Sequence, residues 1–116
     1  MKKYTKDGKV GVLVSPKYGA GWSTWAHGDS KFKQFLLMDK RLVQAVLDGK
    51  HKNLKEFELF VWDIINVEFP EITYLYFGGV EDLVVEWIEN GVNFMVSEYD
   101  GYESIEFKES DDWMTS

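Results

Sequence analysis

The chain of 116 residues contains no cysteine and only two histidines. Without cysteine it cannot form a disulfide, a thiol nucleophile or a thiolate metal site, and this composition fits a reducing cytoplasm. His27 and His51 do not stand at the spacing of metal ligands, and the G-x-S-x-G segment of many serine hydrolases is missing. We therefore expect no metal, no cofactor and no catalytic residue, and we favour a binding protein over an enzyme.

Long hydrophobic runs are missing as well. The basic N-terminus "MKKYTKDGK" leads only into the short run "VGVLVS", whereas a membrane span needs ~20 consecutive apolar residues. We expect no membrane partner. Apolar residues nevertheless make up 45% of the chain and aromatic residues 16%, so the chain can bury enough surface to fold as one domain.

Basic residues are scarce in the second half of the chain. Residues 1–55 hold twelve of the 13 Lys and Arg against four acids, a formal charge of +8, whereas residues 56–116 hold Lys108 alone against sixteen acids, a charge of −15. This asymmetry predicts an acidic surface that meets a basic partner or copies the charge of a nucleic acid. The alternative is that strands of both halves lie in one sheet and neutralise each other. At a net charge of −7 we do not expect direct binding to duplex nucleic acid.

Two helices are indicated by their caps and by their apolar spacing. Asp39 predicts the N-cap of a helix over 40–48. Asn53 and Glu56 have the spacing of a capping box, and the helix that follows must end before Pro70. Both helices carry apolar residues at helical spacing, which predicts one buried face for each.

Strands are predicted before and after these helices. Residues 9–15 are rich in β-branched residues, whereas 32–38 fit neither a strand nor a helix clearly. After the helices the apolar period changes to two, and Gly, Asn-Gly and Asp-Gly turns separate the segments. The predicted later strands are 72–77, 83–88, 92–99 and 103–107, with turns at Gly78-Gly79, Asn90-Gly91 and Asp100-Gly101.

These elements predict a single α+β domain over residues 1–116. An antiparallel β-sheet, made of the N-terminal strand and the C-terminal meander, packs against two helices. The ends, 1–8 and 108–116, are predicted to be flexible. An exposed strand edge would also allow a homo-oligomer.

The first candidate site is the glycine-tryptophan loop, which we define as residues 15–29, "SPKYGAGWSTWAHGD". Glycines allow close approach to a ligand, loop N–H groups can hold a phosphate, and aromatic rings can stack on a base. Its candidate ligand-binding residues are Ser15, Lys17, Tyr18, Gly19, Gly21, Trp22, Ser23, Thr24 and Trp25. The alternative interpretation is that Trp22 and Trp25 are core anchors and that the glycines only supply turns.

The second candidate site is the acidic, tyrosine-bearing turn near the C-terminus. A tyrosine-lined tip beside carboxylates is typical of a protein-contact surface. Its candidate partner-binding residues are Glu98, Tyr99, Asp100, Tyr102 and Glu103.

Two segments, "VGVLVSPKYGAGWSTW" and "YFGGVEDLVVEWIENGVNFMVSEYDGYESIE", carry a resemblance to a family of small, mostly uncharacterised proteins encoded by bacteriophages. The family pattern includes "VLVSPxYGAGWSTW" and a closing "YDGxES". Lys17 stands where the family would have glycine. The resemblance implies a phage accessory protein in the cytoplasm of a host bacterium, where such proteins act on host machinery or host immunity.

Two binding hypotheses follow from this setting. In the first, the protein sequesters a small anionic, nucleotide-like ligand: Tyr18, Trp22 and Trp25 stack on the base, and Lys17, Ser23 and loop amides hold phosphate. In the second, the acidic half docks on a basic host protein and inhibits it, or imitates a nucleic acid.

Overall fold

The computed structural model describes residues 1–107 and 114–116 as an α+β domain, which confirms the predicted fold class. The described residues form three α-helices and six β-strands. The helices are α1 (Ser30–Met38), α2 (Lys40–Leu47) and α3 (Leu54–Glu68). The strands are β1 (Thr5–Lys6), β2 (Lys9–Val14), β3 (Val84–Glu89), β4 (Asn93–Tyr99), β5 (Tyr102–Phe107) and β6 (Met114–Thr115).

The helices begin where a side chain can accept a backbone N–H. Asp39 accepts from the amide of Arg41 at the start of α2, and Asn53 accepts from the amide of Glu56 at the start of α3, as predicted. The second bond of the predicted capping box is not formed, because the amide of Asn53 donates to the carbonyl of Lys50. The ambiguous segment 32–38 belongs to α1, so the domain has a third helix. Asp29 caps it by accepting from the amide of Phe32 at 2.9 Å.

The strands form two antiparallel sheets rather than one. The strand order is β1-β2-β3 in the first sheet and β5-β4-β6 in the second. The predicted Asn90-Gly91 turn is present, but it leads from one sheet to the other instead of closing a hairpin. There the amide of Gly91 donates to the carbonyl of Ser116, so β6 takes the place beside β4 that β3 would occupy in a meander.

The prediction of a strand at 72–77 is wrong. The chain is extended there, but it forms no ladder of backbone hydrogen bonds with a neighbouring strand. Leu75 and Phe77 are buried while Tyr74 is exposed. The apolar period of two in the sequence reflects this alternation of buried and exposed side chains. It comes from an extended chain that packs one side against the helices, since β2 already pairs with β1 and β3.

The core lies on both sides of β2. Leu13 packs with the apolar residues of the helices, in a cluster that includes Phe57 of α3. Val10 and Val12 face the opposite way and pack with Phe94 of β4, between the two sheets. A strand buried on both faces needs a continuous apolar run, which explains why "VGVLV" does not alternate.

Both chain ends make backbone contacts in the described residues. β1 pairs with β2, the carbonyl of Lys2 accepts from the amide of Lys40, and β6 pairs with β4. The flexibility predicted for 1–8 and 108–116 stays a prediction, and residues 108–113 lie outside the described residues. None of the helices in the described part of the chain has the length and the hydropathy that crossing a bilayer requires.

Candidate interaction surface

The glycine-tryptophan loop is held by the side chain of Glu103, which comes from β5. Glu103 is only 1% exposed. One carboxylate oxygen accepts from the amide of Ser15 at 2.9 Å, and the other accepts from the amides of Trp22 and Thr24 at 2.9 and 3.0 Å. The hydroxyl of Thr24 donates to that second oxygen at 2.6 Å. The loop therefore binds an anion that belongs to its own chain, a buried carboxylate with four hydrogen-bond donors.

This contact changes what the loop amides can do. We expected loop N–H groups to hold the phosphate of a ligand, and three of them, at Ser15, Trp22 and Thr24, already bind Glu103. In this conformation they are not available to a phosphate. Glu103 itself was predicted as a partner-facing acid, and its burial removes it from the surface.

Trp22 lies in the core rather than on the surface. Its side chain is 2% exposed, its indole N–H donates to the carbonyl of Leu36 at 2.8 Å, and its ring lies beside Phe57 and Phe77. The stacking role predicted for Trp22 is therefore not available in this structure, and the alternative interpretation as a core anchor describes its position. Ser15 and Ser23 are buried with it.

The exposed part of the loop contacts the tip of the β4–β5 hairpin. The amide of Gly19, a residue with φ of +85°, donates to the carbonyl of Asp100. A Cβ on Gly101 would lie 2.5 Å from the backbone nitrogen of Ala20 and 3.0 Å from the indole ring of Trp25. The two candidate sites predicted from the sequence are therefore neighbouring parts of one surface.

Three tyrosines meet on this surface, and we call Tyr18, Tyr99 and Tyr102 the tyrosine cluster. They are 64%, 77% and 38% exposed. The ring of Tyr18 lies 5.1 Å from that of Tyr102 and 6.4 Å from that of Tyr99, centroid to centroid. Such pairs are attractive beyond the area they bury, so the rings support one another while they remain accessible.

The hairpin fixes where two of these tyrosines point. Asp100 and Gly101 both have positive φ, 50° and 88°, as a two-residue hairpin turn of type I′ requires. Tyr99 and Tyr102 are then directly opposite each other in the ladder and share one face of the sheet. Glu103, one residue on, points to the other face and into the loop, so the same turn positions the tyrosines and the buried anchor.

A groove of about 550 Å³ adjoins the tip on the other side of Trp25. It is lined by Thr24, Trp25, Ala26, His27, Tyr74 and Tyr76, and we call it the aromatic groove. The rings of Trp25 and Tyr76 lie 5.4 Å apart. A smaller cavity of about 230 Å³ shares His27 and Tyr74 with the groove and extends it to Glu71.

Sequence reasoning missed Tyr74 and Tyr76 as surface residues of a site. They belong to the segment 72–77, which the sequence predicts as a strand of the meander. A usable signal was the density of aromatic residues in "ITYLYF", since aromatic residues are enriched at interfaces.

The charged groups near this surface are mostly acidic. Glu98 accepts from the amide of Gly101 at 2.7 Å and from the indole N–H of Trp25 at 3.4 Å. Lys17, predicted to hold phosphate, forms an ion pair with Asp82 at 3.4 Å. Its charge is thus partly neutralised. Among the described residues no three His, Asp or Glu side chains are arranged to hold a metal ion.

A second polar cluster lies where α2 meets the end of α3, and it borders a cavity that reaches the start of α1. Arg41 donates to Asp39 at 2.9 Å and to Glu68 at 2.6 Å. These hydrogen bonds raise the pKa of Arg41 and lower the pKa of Glu68. The cluster borders a cavity of about 520 Å³, which is also lined by Met1, Lys2 and Lys40. Its two acids are both engaged by the one arginine.

Comparisons with protein-family models, with curated proteins and with solved structures find no match to this chain.

Proposed function

We propose that the protein is a non-catalytic binding protein that docks on a partner protein through the tyrosine cluster. The observation that carries the proposal is the exposure of Tyr18, Tyr99 and Tyr102 at the hairpin tip, where the ring of Tyr18 lies beside the rings of the other two. Tyrosine is enriched at the centres of protein interfaces, because it gives a large contact area with little side-chain entropy and keeps a polar group for hydrogen bonding.

The anchor under this tip supports the same proposal. Glu103 connects the hairpin, which carries two of the tyrosines, to the glycine-tryptophan loop, which carries the third. The three tyrosines are therefore held in fixed relative positions. A rigid binding surface loses less conformational entropy on association than a mobile one. Rigidity of the tip therefore favours tight docking.

The acids around the tip indicate the charge of the partner. Asp100 is exposed in the turn between Tyr99 and Tyr102, and Glu98 is exposed on the opposite face of the hairpin. Both belong to the half of the chain that carries a formal charge of −15. A basic partner surface would be attracted and oriented by this field. The resemblance to phage proteins supplies the setting that we propose: a host protein of the bacterial cytoplasm that is inhibited by docking, which would be a counter-defence role.

A nucleotide-like small ligand is the second candidate, and the aromatic groove is the observation that favours it. Its volume of about 550 Å³ falls in the range of small-molecule sites, roughly 300–1,000 Å³, and Trp25 offers a ring for stacking. Native mass spectrometry of the protein purified from bacteria tests this candidate. A bound nucleotide mass that Trp25→Ala loses would support it.

Partner capture from a bacterial lysate tests the docking proposal. The bait proteins are the unmodified chain, the double variant Tyr18→Ala/Tyr99→Ala, and Leu59→Ala, which removes an equally exposed apolar side chain from α3. We expect one host protein to be retained by the chain and by Leu59→Ala. The tyrosine variant should bind it at least 100-fold more weakly, since two interface tyrosines contribute more than about 1.4 kcal/mol each.

Ionic strength gives the second readout of the same experiment. Capture that depends on the acids should weaken as salt is raised, because exposed charges are screened over ~10 Å at 0.1 M. Equal capture by all three baits, or no retained host protein, would contradict the proposal. Circular dichroism of each bait checks that the substitutions leave the fold intact.

A further inference from the structure

The aromatic groove has the chemistry of a site for a cationic side chain. Its walls are the rings of Trp25, Tyr74 and Tyr76, and Tyr74 is 62% exposed. The face of an aromatic ring carries partial negative charge and attracts a cation that lies on it. Three rings around one groove add these attractions without the desolvation cost of a buried acid.

Two carboxylates lie next to the residues that line this groove. Glu98 lies at the edge of the Trp25 ring, where Oε2 accepts the indole N–H at 3.4 Å and the amide of Gly101 at 2.7 Å. Oε1 has no donor among the described residues, so it can accept a further hydrogen bond. The adjoining cavity of about 230 Å³ reaches Glu71.

His27 is the one lining residue of the groove, among those described, that can carry a positive charge. No lysine or arginine lines the groove in the described part of the chain, and Lys17, the basic residue of the loop, is paired with Asp82. A phosphate would find aromatic faces, two carboxylates and loop amides that already bind Glu103. The groove therefore complements a cation better than an anion.

We propose that the aromatic groove receives an arginine side chain of the partner protein. Arginine fits better than lysine because its planar guanidinium can stack on the Trp25 ring while its edge N–H groups reach a carboxylate. This inference rests on the proposed function, since it names the residue that a partner docked at the hairpin tip inserts into the adjoining groove. It assigns Trp25 and Tyr74 to recognition and leaves Trp22 in the core.

Nuclear magnetic resonance of the indole N–H groups tests the site with small probes. The probe is N-acetyl-arginine amide, and its neutral isostere is N-acetyl-citrulline amide. We expect the arginine probe to shift the Trp25 indole resonance with a dissociation constant in the millimolar range, roughly the strength of one exposed cation–π cage. The citrulline probe should bind at least tenfold more weakly. Trp25→Phe assigns the resonance, and Tyr74→Ala should abolish the response.

Trp87 is the internal control. It pairs with Tyr4 at 5.7 Å, close to the 5.4 Å of the Trp25–Tyr76 pair, but it lies on β3, away from the groove. Equal shifts at Trp87 and Trp25 would mean unspecific stacking and would overturn the inference. So would equal binding of the two probes, or a Trp25 response to adenosine monophosphate that exceeds the response to arginine.

The outcome separates this inference from the proposed function. If partner capture depends on Tyr18 and Tyr99 but the groove does not bind the arginine probe, the docking proposal is kept and the arginine site is rejected. An arginine-specific groove in a protein that captures no partner would remove the docking proposal instead.

Discussion

At the scale of single residues, the glycine-tryptophan loop depends on the carboxylate of Glu103, which accepts three backbone N–H groups and one hydroxyl. In Glu103→Gln, one oxygen becomes an NH₂ group that faces donors, so buried N–H groups lose their acceptor. We expect the free energy of unfolding to fall by about 2–4 kcal/mol, measured by urea denaturation.

Glu106→Gln is the matched control for this substitution. Glu106 lies on the same strand, but it is exposed and accepts only from the hydroxyl of Ser97, at 3.2 Å, among the described residues. Its replacement should change the free energy of unfolding by less than about 0.5 kcal/mol. Similar losses in both variants would show that the buried contacts of Glu103 do not hold the loop.

The residue composition of the surface was predictable, but the burial of its members was not. The sequence indicated both the loop and the tyrosine-bearing turn, and alternation along β5 separates Glu103 from Tyr102. It could not show that the loop folds over Glu103, because the Glu103–Trp22 contact joins residues 81 positions apart. A contact at that separation leaves no periodic pattern. For the same reason, Trp22 and Trp25 look equivalent in sequence and differ in burial.

At the scale of elements, the Asp100-Gly101 turn holds the tip of the hairpin against the loop. Gly101 and Gly91 have the same φ of +88°, but a Cβ meets the backbone of Ala20 at 2.5 Å only at Gly101. Gly91→Ala should cost about 1–2 kcal/mol, from left-handed strain alone. Gly101→Ala adds the clash, and we expect a loss at least 1 kcal/mol larger in urea denaturation.

The indole resonance of Trp25 reports the local effect of these two substitutions. The added Cβ at Gly101 would lie 3.0 Å from the Trp25 ring, so Gly101→Ala should shift the indole resonance of Trp25, whereas Gly91→Ala should leave it in place. If both variants lose the same stability and Trp25 is unaffected in each, the loop does not pack against the tip in solution.

Elements with local signals were predicted well, and elements that depend on distant partners were not. The caps of α2 and α3 are formed by residues within three positions of the N–H they accept, so sequence spacing predicts them. The Asp100-Gly101 hairpin is equally local. The segment 72–77 and the Asn90-Gly91 turn depended on which strands lie beside β2 and β4, and no local pattern contains that information.

At the scale of the whole molecule, the two oppositely charged halves of the chain interleave. β2 comes from the basic half and pairs with β3 from the acidic half, which brings Lys9 opposite Glu89. Arg41 and Glu68 join the halves at the helices. The predicted alternative of local neutralisation therefore describes the first sheet. The tip of the second sheet keeps exposed acids beside the tyrosine cluster.

The stability of the whole domain should also depend on pH through His51, between α2 and α3. His51 is buried, its ring hydrogen-bonds the backbone of Leu83, and Nδ1 has no partner among the described residues. Burial, followed by the nearby charge of Lys52, lowers the pKa of His51 below its ordinary value, while the hydrogen bond to Leu83 and the charge of Asp82 oppose the shift. Protonation would place an unpaired N–H⁺ in the core.

The sign of the pH effect follows from the lowered pKa. Below about pH 6.5, His51 binds a proton in the unfolded chain but not in the folded chain. The free energy of unfolding therefore falls as the pH drops from about 7 to 5.5. For one group the loss is at most about 1.4 kcal/mol per pH unit. Urea denaturation should show this loss in the unmodified chain and in His27→Gln, whose histidine is exposed, and a much smaller loss in His51→Gln. An unchanged slope in His51→Gln would place the titrating group elsewhere.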